Sequence, residues 1–344
     1  MSLPKICIDR EVVHPGDVIS GTVFWSSEHH AAHRSIRIQF IGTAISAWKK
    51  DKRWADRGNR YLEPIEGRED FVSQRIVVKP KEKPREEAAT RPRRSCHFSF
   101  RLPEDCPPSF EGTFGYIRYY IQVDVSLRFW IDKHVERAVT VVSPIDLNLI
   151  PRARFPMVKS NDARCGIWPW NRGRHEITVT SPTYGYVPGE TVTVSGVLDN
   201  LSRAPIRAIR ARFYQINSYR SMQEEVNETW IHAKHTMTCH VAPRARHHFQ
   251  LEFDVPPTVG TIRNLKIVGV EYFVHVEAGR VSVELPVFIG NVPFANRTES
   301  VPLLVKGDGA KCRDLWLHPP FVPLYPFYRQ EPRRDRDAPS VTDH

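Results

Sequence analysis

Clustered histidines are the first residues of this chain whose type could bind a metal ion. The chain has 15 histidines, with one group at His29, His30 and His33 and a second group between His232 and His248. A zinc-binding HExxH motif needs a helix that turns two imidazoles to the same side, and a glutamate at a fixed step. Neither group offers that glutamate or a helical pattern. We therefore expect surface histidines and no metal site.

Motifs for catalysis and cofactor binding are also missing. The segment Gly307–Lys311 lacks the preceding strand, the following helix and the third glycine of a phosphate-binding loop. We find no GxSxG or P-loop motif. The six cysteines lie far apart without a CxxC pair, which indicates reduced thiols. The sequence predicts a protein that is not an enzyme and carries no cofactor.

Two clusters of basic residues could instead bind phosphate groups. Arg forms paired hydrogen bonds with phosphate, and each basic residue near an anionic membrane contributes about 1 kcal/mol to binding. The alternative interpretation is a solvated strand face or loop. The candidate anion-binding residues are Lys49, Lys50, Lys52, Arg53, Arg207, Arg210 and Arg212.

Length and charge limit the class of protein. The 344 residues suffice for two domains of about 150 residues each with some chain to spare. The net charge of +10 favours acidic partners. A nucleic-acid partner is not expected, because the basic residues are spread over loops and strands without a recognition module. The N-terminus does not resemble a signal peptide and no apolar run could span a bilayer, so we expect a cytoplasmic protein.

The elements that must position these residues are β-strands. Apolar residues recur at every second position from Tyr119 to Phe129, and shorter runs of the same kind lie at 36–40, 249–253 and 270–276. This alternation predicts Tyr119 in the core and Arg118 on the opposite, outer face of the same strand. Glycine and proline fall mainly between these runs, and no long helical stripe is visible. This pattern predicts an all-β protein built from antiparallel sandwiches.

The two halves of the chain resemble each other. A Pro-Gly-acid turn occurs at Pro15–Asp17 and again at Pro188–Glu190, followed in each half by a Ser-Gly pair. The stretch Tyr119–Val123 is likewise echoed by Tyr272–Val276. The repeat predicts two tandem immunoglobulin-like sandwiches at 1–150 and 175–291, a basic connector at 151–174 and a proline-rich flexible tail at 292–344.

The motifs of both halves together resemble the alpha-arrestins, which are arrestin-domain-containing proteins. The resemblance covers roughly residues 5–291. It implies two seven-stranded immunoglobulin-like sandwiches joined by a short hinge, and a cytoplasmic adaptor that links membrane cargo to HECT-type ubiquitin ligases and the endocytic machinery. The stretches that carry it are Pro15–Asp17 (PGD), Phe110–Gly112 (FEG), Gly115–Tyr119 (GYIRY), Pro188–Glu190 (PGE) and Leu285–Gly290 (LPVFIG).

Ligase recruitment in this family normally depends on a PPxY motif, which binds a WW domain. No PPxY occurs in this chain, but the tail offers a motif of similar composition and different spacing. Its residues are Pro319, Pro320, Pro323 and Tyr325. The sequence leaves open whether this segment binds a WW domain or is a plain proline-rich tail.

Two functions therefore remain in view. The first is an adaptor in membrane-protein trafficking that is associated peripherally with the plasma membrane or endosomes. The second is a scaffold of the same fold that binds partner tails or a phosphoinositide-rich membrane without recruiting a ligase. Visual and beta-type arrestins hold an inactive state with buried charges between their domains, and we find no matching positions in this sequence. We thus expect no buried charge latch at the hinge.

Overall fold

The computed structural model describes residues 3–26, 33–53, 60–78, 93–127, 133–165, 173–295, 301–307 and 320–329. The described residues form β-strands with a single 3-10 turn at Leu147–Leu149. The all-β prediction is confirmed. The alternating runs are strands with one buried face, and Ile36, Ile38 and Phe40 are all fully buried.

The first sandwich packs a three-stranded sheet, in the order β1-β3-β6, against a larger sheet in the order β2-β9-β8-β4-β5 with β7 paired to β8. Phe40 of the larger sheet stacks on Phe100 of the smaller sheet, with ring centroids 6.0 Å apart. The strands are β1 Lys5–Ile8, β2 Val12–Val13, β3 Val18–Ser26, β4 His33–Arg53, β5 Arg60–Val78, β6 Arg93–Arg101, β7 Phe110–Glu111, β8 Gly115–Leu127 and β9 Lys133–Val141.

The second sandwich repeats this arrangement with sheets in the orders β10-β11-β13-β16 and β12-β18-β17-β14-β15. Phe213 and Phe253 meet across its core with centroids 6.4 Å apart. The strands are β10 Met157–Arg164, β11 Gly173–Ser181, β12 Gly185–Tyr186, β13 Thr191–Ser202, β14 Ile206–Arg220, β15 Glu225–Val241, β16 Arg246–Asp254, β17 Val268–Ala278 and β18 Val281–Ile289.

The two Pro-Gly-acid turns have the same local structure. Gly16 and Gly189 have φ values of 85° and 97°, a left-handed conformation that glycine adopts without a steric penalty. The side chains of Asp17 and Glu190 each accept a hydrogen bond of 2.9 Å from the backbone N–H three residues earlier. The acidic residue in each copy therefore closes the turn that leads into a strand.

Part of the connector predicted at 151–174 belongs to the second sandwich. Strand β10 occupies Met157–Arg164 and pairs antiparallel with β11 along its whole length. Polar and apolar residues are exposed on both of its faces, so the alternation that marks the other strands is absent here. That absence explains why the sequence suggested a linker.

Part of the tail predicted to be flexible is also ordered. Strands β19, at Leu303–Lys306, and β20, at Leu324–Phe327, pair antiparallel and form a small sheet that we call the tail hairpin. For residues 301–307 and 320–329 the expectation of a flexible tail is wrong. The tail hairpin is ordered because aromatic side chains, which the proline-rich composition obscured, are buried against both sandwiches.

Candidate functional site

The two sandwiches meet where the β14–β15 turn of the second lies on strands β4 and β5 of the first. The Ser46 hydroxyl donates a 2.6 Å hydrogen bond to the carbonyl of Arg220, and the Lys50 ammonium contacts the Glu224 carboxylate. A Cβ atom added to Gly67 would lie 2.4 Å from the Arg220 carbonyl oxygen. The close approach of the two domains therefore depends on a glycine in the first.

The FEG turn is the second point of contact between the sandwiches. Phe110 and Phe114 pack on the ring of Tyr219, with centroid distances of 6.4 and 5.8 Å. A Cβ atom on Gly112 would lie 1.9 Å from the Tyr219 hydroxyl oxygen. That hydroxyl donates a 3.0 Å hydrogen bond to Glu228. Gly112 is thus required for this close contact with the second sandwich.

A buried ion pair lies directly beside this turn. The Arg118 guanidinium donates two hydrogen bonds to the Glu111 carboxylate, Nε to Oε1 at 2.5 Å and Nη2 to Oε2 at 2.8 Å. Only 6% of the Arg118 side chain and 2% of the Glu111 side chain are exposed. The guanidinium also lies over the Tyr116 ring, 4.4 Å from its centroid. Such two-fold Arg–carboxylate contacts are strong because both groups are charged and planar.

This pair corrects two expectations from the sequence. The alternation of β8 predicts Arg118 on a solvated outer face, and no buried charges were expected at the hinge. Instead Glu111 lines a cavity of about 20 Å³ together with Gln215 and His232 of the second sandwich and Tyr325 of the tail hairpin. The outer face is buried at this end of β8. The second sandwich and the tail hairpin cover the Glu111 carboxylate, which accepts the hydrogen bonds of Arg118.

The tail hairpin contacts both sandwiches. The backbone N–H of Leu324 donates to the hydroxyl of Thr140 in the first sandwich at 3.2 Å. The backbone N–H of Tyr328 donates to the carbonyl of Pro188 in the second at 2.9 Å. The side chains of Tyr325 and Tyr328 are 9% and 6% exposed. The hairpin is therefore a strap across the junction.

The strap fits against the second Pro-Gly-acid turn. A Cβ atom on Gly189 would lie 1.9 Å from the carbonyl oxygen of Tyr328, so only glycine permits the observed contact. The Tyr328 hydroxyl donates a 2.9 Å hydrogen bond to the carbonyl of Asn291. At the first turn, the nearest atom to a Cβ on Gly16 is the Glu104 side chain at 3.6 Å, which is an ordinary contact.

The candidate WW-binding motif lies in this strap. Pro319 is outside the described residues, Pro320 is exposed, and both Pro323 and Tyr325 are buried. Burial, followed by the neighbouring Tyr272 hydroxyl and Glu111 carboxylate, raises the pKa of Tyr325 well above its ordinary value. In this conformation Tyr325 occupies a site within its own chain and is not available to a pocket of another protein.

Buried polar groups surround Tyr325 on the side of the second sandwich. The Gln215 side-chain oxygen accepts from Thr258 at 3.3 Å and lies 3.0 Å from the His232 imidazole. The Tyr272 hydroxyl lies 2.8 Å from that of Thr258 and donates to a backbone carbonyl at 2.6 Å. These groups satisfy one another, as buried polar groups must. The arrangement can hold an aromatic hydroxyl, and it contains no nucleophile paired with a base.

One candidate basic cluster lies on the exposed face of the second sandwich. Arg212 stands between Lys234 of β15 and His275 of β17 in the cross-strand register. Arg210, two residues earlier on β14, forms an ion pair of 3.6 Å with Glu277. Burial, and then the charge of Arg212, lower the pKa of His275. Lys234 and His275 therefore extend this cluster, and cross-strand register is the signal that adds them.

Other contacts at this cluster divide its charges. The Arg212 guanidinium lies 5.5 Å from the centroid of the Tyr214 ring, whose hydroxyl donates to Glu284. Arg207 is exposed near the start of β14. Carboxylates at Glu277 and Glu284 thus lie beside the basic residues. The geometry allows an anion at Arg212 and Lys234 but offers no enclosed phosphate site.

The other candidate cluster is separate from this face. Lys49 and Lys50 are exposed near the junction, where Lys50 contacts Glu224. Lys52 and Arg53 belong to β4, but their side chains lie outside the described residues. Strand β14 continues from Arg212 to its last residue, Arg220, which lies at the junction near Glu224. At roughly 3.3 Å per residue, this part of the strand places the two clusters about 26 Å apart. They do not form one site.

The described residues offer neither a group of metal ligands nor a membrane-spanning helix. No group of three or more His, Cys, Asp or Glu side chains in this part of the chain could hold a metal ion. No helix in the same ranges is long and apolar enough to cross a bilayer.

Comparison with known proteins matches both sandwiches to one family. Residues 5–148 match the family model for the arrestin (or S-antigen) N-terminal domain, and residues 171–294 match the model for the C-terminal domain. Together the two models cover well over half of the chain.

Relatives over the same region have similar names. Arrestin domain-containing protein 4 of Mus musculus is 26% identical over 309 residues, covering 83% of this chain and 71% of that protein. Arrestin domain-containing protein 1 of Homo sapiens is 27% identical over 293 residues, covering 82% of this chain and 62% of that protein. Arrestin domain-containing protein 17 of Caenorhabditis elegans is 27% identical, covering 81% and 67% respectively.

Proposed function

This chain belongs to the arrestin family, and from that membership we propose that it is a non-catalytic adaptor that binds the cytoplasmic tails of membrane proteins. Arrestin-family proteins are generally adaptors without catalytic activity. The observation that carries the proposal is the matched pair of arrestin sandwiches, which meet at a junction of specific contacts. A paired scaffold of this kind presents binding surfaces and has no need of a reactive centre.

The exposed basic face around Arg212 and Lys234 supports a role in reading acidic or phosphorylated tails. Arginine binds phosphate through two parallel hydrogen bonds, and a neighbouring lysine adds a point charge. Arg207 and Arg210 lie on the same strand and increase the local positive charge. We propose this face as the contact for cargo tails, with Lys49 and Lys50 as a separate anion-binding candidate.

A charge-reversal series tests this assignment directly. The triple variant Arg207→Glu, Arg210→Glu and Arg212→Glu should lose at least ten-fold in affinity for phosphorylated tail peptides, because three attractive charges become repulsive ones. A ten-fold loss corresponds to about 1.4 kcal/mol of binding free energy. The matched control is Arg75→Glu with Arg101→Glu, two exposed residues of the first sandwich outside both candidate clusters, and it should leave tail-peptide binding unchanged. Equal binding by the triple variant and the unaltered chain would show that this face does not read the tails.

Ligase recruitment forms the second part of the proposal. The tail lacks a PPxY motif, and Tyr325 must leave the junction before a WW domain can bind it. We propose that the tail links bound cargo to ubiquitination and endocytic sorting at the plasma membrane or endosomes only after the strap is released. A HECT-type ligase is the partner that this role implies.

Purified WW domains provide the test of ligase recruitment. A peptide from Leu317 to Gln330 should bind a WW domain, whereas the folded full chain should bind more weakly because Tyr325 is buried. A Tyr325→Ala peptide is the matched control and should lose binding. The proposal of WW recognition is rejected when neither peptide shows measurable binding.

The burial of Tyr325 also favours an alternative function. In this alternative the chain is an arrestin scaffold that binds partner tails or a phosphoinositide-rich membrane and recruits no ligase. Deletion of residues 292–344 separates the two functions. Cargo ubiquitination that disappears with the deletion supports the ligase adaptor, and ubiquitination that persists supports the scaffold.

A further inference from the structure

The loop between the two sandwiches is held firmly from one side. Leu147 and Ala153 are fully buried in a small apolar cluster with Val187 and Phe294. The carbonyl of Ala153 also accepts backbone hydrogen bonds from Tyr184 at 3.1 Å and from Gly185 at 2.9 Å. The loop therefore has a fixed orientation. Ile150 packs against the same cluster, and the Arg154 guanidinium donates a 2.6 Å hydrogen bond to the Asn148 side chain. Several of the remaining side chains are exposed.

Those exposed side chains include three large apolar groups. Leu149, Phe155 and Val158 are 79%, 64% and 55% exposed. Single exposed apolar residues are common, but three large ones within ten residues of an anchored segment indicate an interaction surface. The backbone of Phe155 is fixed by a 3.2 Å hydrogen bond from its N–H to the carbonyl of Arg152. We use the name connector loop for residues 149–159, which run from the end of the 3-10 turn into the first three residues of β10.

Basic residues are interspersed with these apolar groups. Arg152, Arg154 and Lys159 are exposed, and residues 149–159 contain no acidic residue. The nearest acids in the chain are Asp146, which accepts hydrogen bonds from a neighbouring asparagine, and Asp162, further along β10. Within these eleven residues the connector loop therefore carries three exposed basic residues and three exposed large apolar residues.

We propose that the connector loop docks on the anionic face of a lipid bilayer. Apolar side chains that alternate with Lys and Arg are typical of interfacial membrane contacts, because the apolar groups enter the headgroup region while the charges remain at its surface. Long basic side chains can extend their charged ends to that surface while their stems lie in apolar surroundings.

Charge and apolarity together identify the bilayer as the occupant. An acidic peptide would match Arg152 and Lys159 but would leave much of Leu149 and Phe155 in water. A bilayer interface accepts both kinds of group at once. The proposed contact deepens the membrane association that belongs to the proposed function, and it rests on that function only for its cellular location. The surface itself follows from these side chains.

Vesicle sedimentation with the full chain tests the proposal without any cargo. The probes are phosphatidylcholine vesicles with and without phosphatidylserine. The chain should bind the mixed vesicles and not the neutral ones, and binding should weaken as salt is raised. The Leu149→Ser/Phe155→Ser variant should lose about ten-fold in partitioning, and Arg152→Gln/Lys159→Gln about five-fold per charge. Phe155→Trp should bind at least as tightly as the unaltered chain.

Two controls keep the result specific. Met222→Ser removes a fully exposed apolar side chain elsewhere and should leave vesicle binding unchanged. Thermal unfolding midpoints should agree among all variants, because every substituted side chain is exposed. Equal partitioning of the variants and the unaltered chain overturns the proposal, as does binding to polyglutamate without binding to mixed vesicles. Loss of tail-peptide binding with intact vesicle binding would reject the cargo proposal and leave this one standing.

Discussion

The two sandwiches place an ion pair at the same position of their internal repeat, with the charges exchanged. Arg118 of β8 pairs with Glu111 in the first sandwich, and the side chains are only 6% and 2% exposed. Glu271 occupies the equivalent position of β17 and pairs with Arg263 at 2.8 Å, with both side chains more than 40% exposed. The position is duplicated, but its environment is not.

Neighbouring parts of the chain account for this difference. The first pair lies beside the junction, where the second sandwich and Tyr325 of the strap enclose the cavity that Glu111 lines. The second pair lies at the surface, where Arg263 also donates to the Tyr184 hydroxyl at 2.9 Å. Packing between the domains therefore buries an ion pair that is exposed in the other sandwich.

Removal of the arginine should give the largest effect and should separate the two pairs. Arg118→Met leaves the Glu111 carboxylate buried without its partner, which costs about 3–5 kcal/mol in the free energy of unfolding. Arg263→Met should cost less than about 1 kcal/mol, because the exposed pair is screened by water. Urea unfolding of both variants measures the two values. Similar losses for both variants would contradict the burial of the first pair.

Loss of the strap tyrosine tests how the junction is covered. Tyr325→Ala removes a buried ring and should cost about 3 kcal/mol of local stability, so that the tail hairpin detaches while both sandwiches remain folded. Limited proteolysis should then cut within residues 320–329 of the variant and not of the unaltered chain. Tyr325→Phe keeps the ring and should remain protected. Protection of the alanine variant would show that the ring does not hold the strap.

The two Pro-Gly-acid turns provide a matched pair of smaller changes. Alanine at Gly16 or Gly189 costs about 1–2 kcal/mol because of the left-handed backbone. Gly189→Ala should cost more, since its Cβ displaces the backbone of Tyr328. Urea unfolding and proteolysis of the tail measure both consequences. If Gly16→Ala released the tail equally well, the covered turn would have no special role.

The smallest expected effect concerns the exposed basic face. Arg212→Gln should raise the pKa of His275, because a nearby positive charge disfavours the imidazolium. The pKa of His175, which burial and Arg280 lower, is the control and should not change. Titration by NMR measures both values. If the pKa of His275 were the same in the variant and the unaltered chain, Arg212 would be too far away to influence charges at this face.

The sign of the pH dependence follows from the same shift. Because the pKa of His275 is lowered in the folded state, the unfolded chain takes up its proton at higher pH than the folded chain. The folded state is therefore destabilised as the pH falls from the ordinary pKa of this histidine through its lowered pKa. Arg212→Gln should reduce that loss.

The sequence predicted the elements that depend on local patterns. The alternation along β8 and the two Pro-Gly-acid turns identified strands, sandwiches and the family, because side-chain period and turn chemistry are properties of short segments. The same alternation misplaced Arg118 on a wet face. Its partner Glu111 lines a cavity with Gln215 and Tyr325, which lie far away in the chain, and no local pattern contains that information.

The strap was missed for a similar reason. Proline-rich composition predicts an extended flexible chain, yet Tyr325 and Tyr328 each find a cleft that exists only after both sandwiches have formed. Arg207, Arg210 and Arg212 are exposed, and their role in anion binding stays a prediction. The register of Arg212 with Lys234 and His275 appears only in the folded sheet. Sites built from two domains are therefore the least visible in a sequence.

Proximity labelling in intact cells tests the central proposal most directly. The full chain should enrich integral membrane proteins with cytoplasmic tails, and the triple variant at Arg207, Arg210 and Arg212 should enrich fewer of them. An adaptor of the arrestin family predicts that difference. A set of labelled proteins without membrane cargo, or one that the triple variant leaves unchanged, would contradict the proposed function.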